Sequence, residues 1–457
     1  MSKFNSASFG LAAGSKARDG VRRLVSGACV ALLGMMMLTP ASAALPIQHW
    51  TTANGVRVFF VNAPSIPMLD VQVDFDAGTR REAPGKTGLA NITAGLLAKG
   101  VAGIDEAAIA EGFARIGAIR GASADDDRTS ITLRTLATRP ERDAAVALLA
   151  KVIQAPLFPA NILAREQERT IQALREAQTK PETIASERYM ELLYPAHPYG
   201  RSPTPESVAA IRRDDLVAFH HDNYVASRAM VSMIGAVTRN EAEAIAESLV
   251  GALPAGAPAP ALPPIVAPAK GATELIAHPA SQSHILYGMP GIARGDPDYF
   301  PLLVGNHILG GGGFVSRLVD EVREKRGLAY SVYSYFSPEA QQGPFTIGAQ
   351  TQKERADETI KVIQDTLVKF LKDGPSAAEL RAAKDNLVGG FALRIDSNRK
   401  ILANLAMIGF YGMPLDYLET WPERAEAVTL EEVRAAFARH IDLERMTMVV
   451  VGAGGKP

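Results

Sequence analysis

The sequence predicts an α+β protein made of two similar halves, and three observations support this fold class. Residues 253–268 read LPAGAPAPALPPIVAP, and prolines exclude a helix interior or a central strand and favour an extended connector. Residues 211–236 and 428–453 align without a gap, at a constant offset of 217 residues. Strand patterns and helix patterns also mix within each half, which is typical of a sheet covered by helices.

The repeated segment has an acidic start, then an apolar pattern with helical spacing, then a short apolar strand that ends in glycine. The offset pairs Asp215 with Glu432 and Arg228 with Arg445. Chance similarity between generic helix–strand units is the alternative. The matches continue over the whole segment, so duplication is the better interpretation.

Strand patterns open each half, and long helical patterns follow them. The predicted strands are 56–62 and 69–75 in the first half, and 272–278 and 283–288 in the second. The predicted helices are 141–154, 161–179, 356–372 and 376–389. We expect each half to form a sheet with helices on one side.

The N-terminus has the layout of a secretory signal peptide, which we place at residues 1–43. Basic residues up to Arg23 precede an apolar stretch at 25–38, and the small residues Ala41-Ser42-Ala43 form a cleavage site. A membrane anchor is the alternative, but the apolar stretch is shorter than the roughly 20 residues that span a bilayer. The chain of 457 residues is long enough for two or more domains.

We therefore expect a periplasmic protein with an N-terminal domain at 44–252, a Pro/Ala-rich linker at 253–268 and a C-terminal domain at 269–457. The single cysteine, Cys29, lies in the signal peptide, so disulfides and thiolate chemistry are excluded from the rest. Removing the signal's five basic residues and one acidic residue changes the net charge from −1 to −5. Such a chain is not expected to bind nucleic acid or an anionic membrane surface.

Other catalytic or nucleotide-binding patterns are missing from the sequence. Residues 85–87 read GKT, but Arg80 stands where a phosphate-binding loop has its first glycine. No G-x-S-x-G elbow occurs, and none of the eight histidines forms a pair at helical spacing. Partners are therefore expected to be proteins or peptides.

Three longer motifs carry a resemblance to a known family. Residues 194–200 read YPAHPYG, residues 306–318 read NHILGGGGFVSRL and residues 322–331 read VREKRGLAYS. With these motifs in this order, the chain resembles the pitrilysin/insulinase family of zinc peptidases over nearly its whole length after the signal. The resemblance implies two homologous α+β domains, each a mainly antiparallel sheet covered by helices, arranged as a clam-like pair.

The zinc motif of that family is degenerate in this chain. Family members carry His-x-x-Glu-His on a helix, where two imidazoles bind zinc and the glutamate takes a proton from the bound water. The corresponding positions in GLANITAGLLAKG, residues 88–100, are Asn91, Ala94 and Gly95. An amide is a poor zinc ligand, and alanine and glycine supply neither a ligand nor a base.

The resemblance also implies a third zinc ligand, a glutamate on a later helix. Its position corresponds to about Ala173, although a shifted alignment brings Glu168 or Glu176 to it. A lone carboxylate would not hold zinc. We expect no metal site and no intrinsic catalytic residue in this chain.

Bacterial two-subunit members of the family imply a division of labour, with the zinc motif in one subunit and an arginine and a tyrosine in the other. Here these residues are Arg323 and Tyr330, which would stabilise the negative charge that develops on the substrate carbonyl. The alternative is that Arg323 pairs with Glu321 or Glu324, and that Tyr330 only begins a strand.

The glycine run is similar to a loop in the non-catalytic subunit of the mitochondrial processing peptidase. The expected substrate-binding residues of this loop are Gly310, Gly311, Gly312, Gly313 and Phe314. Glycines would let the backbone approach a peptide closely, and a helix C-cap followed by a turn is the alternative.

These expectations combine into a non-catalytic subunit of a secreted two-subunit zinc metallopeptidase. Its partners would be a peptide substrate and an active sister subunit with His-x-x-Glu-His, which would hold the zinc. The alternative is a stand-alone pseudopeptidase that binds peptides or acts as a scaffold. An enzyme active by another mechanism comes third.

Overall fold

Two β-sheets with the same strand order form the framework of the computed structural model, which describes residues 46–452. The described residues belong to a single compact unit. The predicted signal peptide, residues 1–43, lies outside the described residues. None of the helices in residues 46–452 has the length and apolar character needed to cross a membrane.

The first half contributes eight strands. They are β1 (Gln48–Thr51), β2 (Arg57–Asn62), β3 (Met68–Phe75), β4 (Gly100–Val101), β5 (Ile104–Asp105), β6 (Ile119–Ala124), β7 (Thr129–Leu136) and β8 (Ala229–Gly235). β4 and β5 form a small hairpin, and the others form a sheet in the order β1-β2-β8-β3-β7-β6. Only β2 and β8 pair in parallel in this sheet.

The second half contributes five strands. They are β9 (Thr273–Ile276), β10 (Gln282–Pro290), β11 (Ala329–Phe336), β12 (Pro344–Gln352) and β13 (Thr447–Val451). Their order is β11-β12-β10-β13-β9, and only β13 and β9 pair in parallel. Between the two sheets, residues 254–268 form neither helix nor strand.

The helices divide into two sets on either side of that connector. The first set is α1 (Leu89–Leu96), α2 (Glu106–Arg115), α3 (Arg139–Gln154), α4 (Ala160–Ala177), α5 (Pro181–Leu193), α6 (Pro205–Ala209), α7 (Arg213–Asn223) and α8 (Arg239–Val250). The second set is α9 (Tyr299–Asn306), α10 (Ala356–Asp373), α11 (Ala377–Gly389), α12 (Asn398–Tyr411), α13 (Tyr417–Ala427) and α14 (Leu430–His440).

Local sequence explains where several of these helices begin. Thr238, Ser376 and Thr429 each form a capping box with the glutamate three residues later, at the starts of α8, α11 and α14. The side-chain oxygen accepts from a backbone N–H that the first helical turn leaves unpaired, and the glutamate accepts from the cap residue's own N–H.

The two halves repeat one topology, so the predicted α+β fold with two homologous domains is confirmed. Strands β2, β8, β3, β7 and β6 correspond in order to β9, β13, β10, β12 and β11. Helices α3, α4, α5 and α7 begin 217 residues before α10, α11, α12 and α14. This is the same offset as in the sequence repeat.

One helix from each half packs on the sheet of the other half, a feature that the sequence did not predict. Helix α5 packs on β13 and β10, and helix α12 packs on β8 and β3. In the first sheet, Val71 and Val73 face the core of their own half, whereas Met230 packs against Ala406 of α12. The expectation that helices cover one side of each sheet is therefore incomplete. The second face of each sheet is also covered, by the helix that comes from the other half (α5 or α12, the exchanged helices).

Glycines allow this close packing. A Cβ atom on Gly288 would collide with the Tyr189 hydroxyl of α5, and one on Gly409 of α12 would collide with the Met230 sulfur. The Tyr189 hydroxyl donates to the carbonyl oxygen of Phe345 at 3.2 Å. Helix and sheet from opposite halves are thus joined by both contact and hydrogen bonding.

A buried charged cluster also joins the halves. Asp127, which is fully buried, accepts from the guanidinium of Arg80 and from the hydroxyl of Tyr199 at 2.6 Å in the first half. From the second half it accepts from the Tyr411 hydroxyl at 2.8 Å and the Ala340 N–H at 2.7 Å. A buried carboxylate with this many donors is well compensated for its loss of water.

Glu339 lies beside this cluster and should make stability depend on pH. Burial, and then the nearby Asp127, raise its pKa from 4.5 to about 8. Because its folded pKa is raised, its contribution to the free energy of unfolding is present below pH 4.5 and is lost as pH rises through 8.

We expect the urea concentration at the unfolding midpoint to decrease as the pH rises from 4.5 to 8. Glu339→Gln should make this decrease smaller, because the amide does not titrate. Burial also raises the pKa of Glu82 to about 7, so a residual slope should remain in the variant. An identical slope in the wild type and in Glu339→Gln would contradict the prediction.

Candidate functional site

Helix α1 carries the positions of the degenerate zinc motif, and a buried glutamate holds its start in place. Gly88, at φ 102°, precedes the helix. The Glu82 carboxylate accepts from the N–H of Gly88 at 3.1 Å and from the N–H of Ala90 at 2.7 Å. A negative charge at a helix N-terminus is also favoured by the helix dipole. Sequence reasoning missed this role of Glu82.

The motif positions lie partly on an open face of α1. Asn91 and Gly95, one helical turn apart, are exposed, whereas Ala94 is buried. A Cβ atom on Gly95 would meet no atom within 4 Å. The helix therefore has space at the positions where a family member would place two imidazoles, but the residues present offer no strong zinc ligand there.

The expected position of the third ligand lies on α4. Ala173, Glu168 and Glu176 are all exposed on this helix, and Glu176 pairs with Lys180 at 3.3 Å. In residues 46–452, the one set of three His, Cys, Asp or Glu side chains close enough to share a metal ion is Asp296, Asp298 and His440 in the second half. Asp298 already accepts from Arg439 at 2.7 Å.

We expect the protein on its own to bind no stoichiometric zinc, because Asn91, Ala94 and Gly95 supply neither an imidazole nor a carboxylate. Elemental analysis after dialysis against zinc and then against metal-free buffer measures this. A family member with an intact His-x-x-Glu-His is the positive control. One tightly held zinc ion per chain would contradict the prediction.

The structure brings Arg323, Tyr330 and Phe314 together. The guanidinium carbon of Arg323 lies 4.9 Å from the ring centre of Phe314 and 5.3 Å from that of Tyr330. Phe314 is 69% exposed and Tyr330 is 78% exposed, so both rings are accessible to a ligand. Two aromatic rings beside one guanidinium favour a defined position of the positive charge.

A β-bulge explains the exposure of Tyr330. Ala329 pairs with Thr351 and Ser331 pairs with Gln350, so Tyr330 is the extra residue between two neighbouring pairs. Bulges redirect side chains and are frequent next to functional sites. β11 is also an edge strand of the second sheet. Tyr330 thus does begin a strand, as the alternative interpretation held, but its ring faces solvent.

Arg323 is only weakly paired with an acid. Its Nε lies 3.5 Å from a carboxylate oxygen of Glu324. The other proposed partner, Glu321, is engaged by Lys325 at 2.7 Å and by Arg326 at 2.6 Å. A surface pair as long as that between Arg323 and Glu324 contributes little to stability, which leaves the guanidinium free to bind another group.

The glycine run is a tight helical turn. Residues His307–Gly311 and Gly313–Val315 form two short helical segments. Cβ atoms on Gly310 and Gly311 would collide with Ser334 and Asn306. Gly313 has φ +62° and open space around it. The first glycines therefore serve packing within the chain, and Gly313 with Phe314 forms the accessible end of the turn.

This arrangement can bind and polarise a carbonyl group, but it lacks a nucleophile. A guanidinium and a phenol hydroxyl both donate hydrogen bonds, and both can stabilise a developing oxyanion. Water activation would have to come from a metal or a base that α1 does not supply.

Comparisons with known proteins agree with this architecture. The family model described as Insulinase (Peptidase family M16) matches residues 57–204. The one described as Peptidase M16 inactive domain matches residues 210–387. The crystal structure of a peptidase M16 inactive domain from Pseudomonas fluorescens is 38% identical, with a TM-score of 0.87, and the match covers 90% of this chain and 98% of that chain.

Two further proteins are similar to this chain. An uncharacterized zinc protease of Bacillus subtilis, YmxG, is 28% identical over 90% of this chain and 99% of its own length. The periplasmic protease PqqL from Escherichia coli shares the fold at 17% identity and a TM-score of 0.77; the match covers 89% of this chain and 45% of that chain.

The repeated sheets and the positions on α1 and β11 define a two-domain protein of the zinc-peptidase type without the residues of its zinc motif. The chain belongs to the insulinase family of peptidases, peptidase family M16.

Proposed function

We propose that this protein is the non-catalytic subunit of a two-subunit zinc metallopeptidase. A sister chain with His-x-x-Glu-His would hold the zinc and activate water, and this chain would supply Arg323 and Tyr330 to the substrate carbonyl. The observation that carries the proposal is the placement of Arg323 between two exposed rings, in a chain whose zinc-motif positions have no ligands.

The match to the inactive-domain model over residues 210–387 supports a non-catalytic role for the second half. The first half matches the insulinase model, so its lack of activity rests on Asn91, Ala94 and Gly95. Secretion is part of the proposal. It rests on the signal-peptide pattern at residues 1–43, and one protein of the same fold is a periplasmic protease.

Reconstitution tests the proposal. This protein, a family member from the same genome that carries His-x-x-Glu-His, and the mixture of both are assayed on a library of unstructured peptides. We expect cleavage only when both chains are mixed. A chelator should abolish this cleavage, because the zinc of the sister chain activates the water.

Size-exclusion chromatography of the mixture reports whether the chains assemble. Absence of any gain in cleavage on mixing would overturn the proposal. If this protein alone then still bound peptides, the stand-alone pseudopeptidase would be the better description. Cleavage by this chain alone would overturn both.

A further inference from the structure

A cavity of about 430 Å³ lies where the two halves meet the connector between them. Its lining includes Arg57 and Arg228 from the first half, Arg294 from the second, and Pro258 from the connector. Tyr411, at the end of α12, forms another part of the wall. A cavity of this size is large enough for a small-molecule ligand.

Positive charge dominates this cavity. The acidic residue in its lining is Asp76, and this carboxylate is already bonded to Arg80 at 2.9 Å and to Arg81 at 2.7 Å. Arg80 also forms a salt bridge with Asp127. The salt bridges of Asp76 thus go to Arg80 and Arg81, and not to the other arginines of the cavity.

The remaining three arginines have no acidic partner within residues 46–452. Arg228 donates only to neutral acceptors, the Asn223 side-chain oxygen at 2.7 Å and the Ala257 carbonyl at 3.2 Å. The Nε of Arg294 is buried and has no hydrogen-bond partner. A buried donor without a partner is uncommon in native proteins, and a bound water or ion is one explanation of it.

We propose that this cavity binds a multiply charged oxyanion, a phosphate or a polycarboxylate, between the guanidinium groups of Arg57, Arg228 and Arg294. The planar guanidinium group matches the geometry of both kinds of anion through paired N–H donors. The site is independent of the proposed peptidase role, because Arg323 and Tyr330 are not part of its lining.

The bound anion would connect the two halves. Arg57 begins β2 and Arg228 directly precedes β8 in the first sheet. Arg294 belongs to the loop after β10, where its N–H donates to the Glu339 carbonyl at 2.7 Å. Arg228 also holds the connector through Ala257. An anion between these arginines would therefore stabilise the arrangement of both halves and the connector.

Isothermal titration calorimetry of the protein at constant ionic strength tests the proposal. The probes are pyrophosphate, inorganic phosphate and citrate, with chloride as the reference. We expect saturable binding of at least one probe, and the ranking of pyrophosphate against citrate distinguishes a phosphate ligand from a polycarboxylate. Arg294→Gln and, separately, Arg57→Gln should each weaken that binding about tenfold, as expected for a charged hydrogen bond.

Arg381→Gln is the matched control, since Arg381 is exposed on α11 and outside the cavity. It should leave binding unchanged. Arg57 is exposed at the start of its strand, so Arg57→Gln tests the site even if Arg294→Gln fails to fold. Absence of saturable binding for all three probes, or equal affinity in Arg57→Gln and the wild type, would overturn the proposal.

Discussion

Tyr330→Phe is expected to lower the kcat of the reconstituted peptidase by about 100-fold, while the two chains still assemble. The bulge in β11 turns this side chain to solvent, where it is 78% exposed, so loss of the hydroxyl leaves the packing of the chain intact. Removal of one oxyanion donor typically costs about 100-fold to 1000-fold in rate. The loss should appear in kcat more than in KM, because the donor is needed most in the transition state.

Steady-state kinetics on one cleaved peptide measure this effect, with size-exclusion chromatography as the check on assembly. Tyr335→Phe is the matched control: the same hydroxyl is removed from the same strand, and turnover should not change. Wild-type kcat in Tyr330→Phe would remove Tyr330 from the mechanism, although Arg323 could still act alone. Failure of the variant to assemble would instead make Tyr330 an interface residue.

Local patterns predicted much of the fold, and the family resemblance supplied the candidate site residues. The predicted helix at 356–372 agrees with Ala356–Asp373, and the strand at 69–75 agrees with Met68–Phe75, because apolar periodicity reports the buried face. The motif around Arg323 and Tyr330 named residues that do lie together. It did not predict the bulge, because a bulge depends on how β11 pairs with β12 and not on the sequence of either strand alone.

Contacts between the halves could not be predicted from the sequence. Helices α5 and α12 look like ordinary amphipathic helices, and nothing in their pattern indicates that each packs on the other half's sheet. The acidic run Asp125 to Asp127 has the composition of a solvated turn, yet Asp127 is fully buried. Its partners, Arg80 and Tyr411, stand 47 and 284 residues away in the chain, and only the tertiary fold brings them together.

Asp127→Ala is expected to destabilise the protein by about 3 to 5 kcal/mol, the usual cost of removing one partner from a buried ion pair. The guanidinium of Arg80 would keep Asp76 at 2.9 Å but lose its fully buried partner. The hydroxyls of Tyr199 and Tyr411 would lose their acceptor as well. Urea unfolding measures the change, and Asp127→Asn should cost less because the amide oxygen still accepts hydrogen bonds.

Glu111→Ala is the control for this experiment. It removes the acid of an exposed pair with Arg115, and such pairs contribute at most about 1 kcal/mol. Because Asp127 joins residues of both halves, its loss should also reduce cooperativity, so that the single unfolding transition broadens or divides into two. A change below about 1 kcal/mol with one sharp transition would mean that the exchanged helices α5 and α12 hold the halves together without the charged cluster.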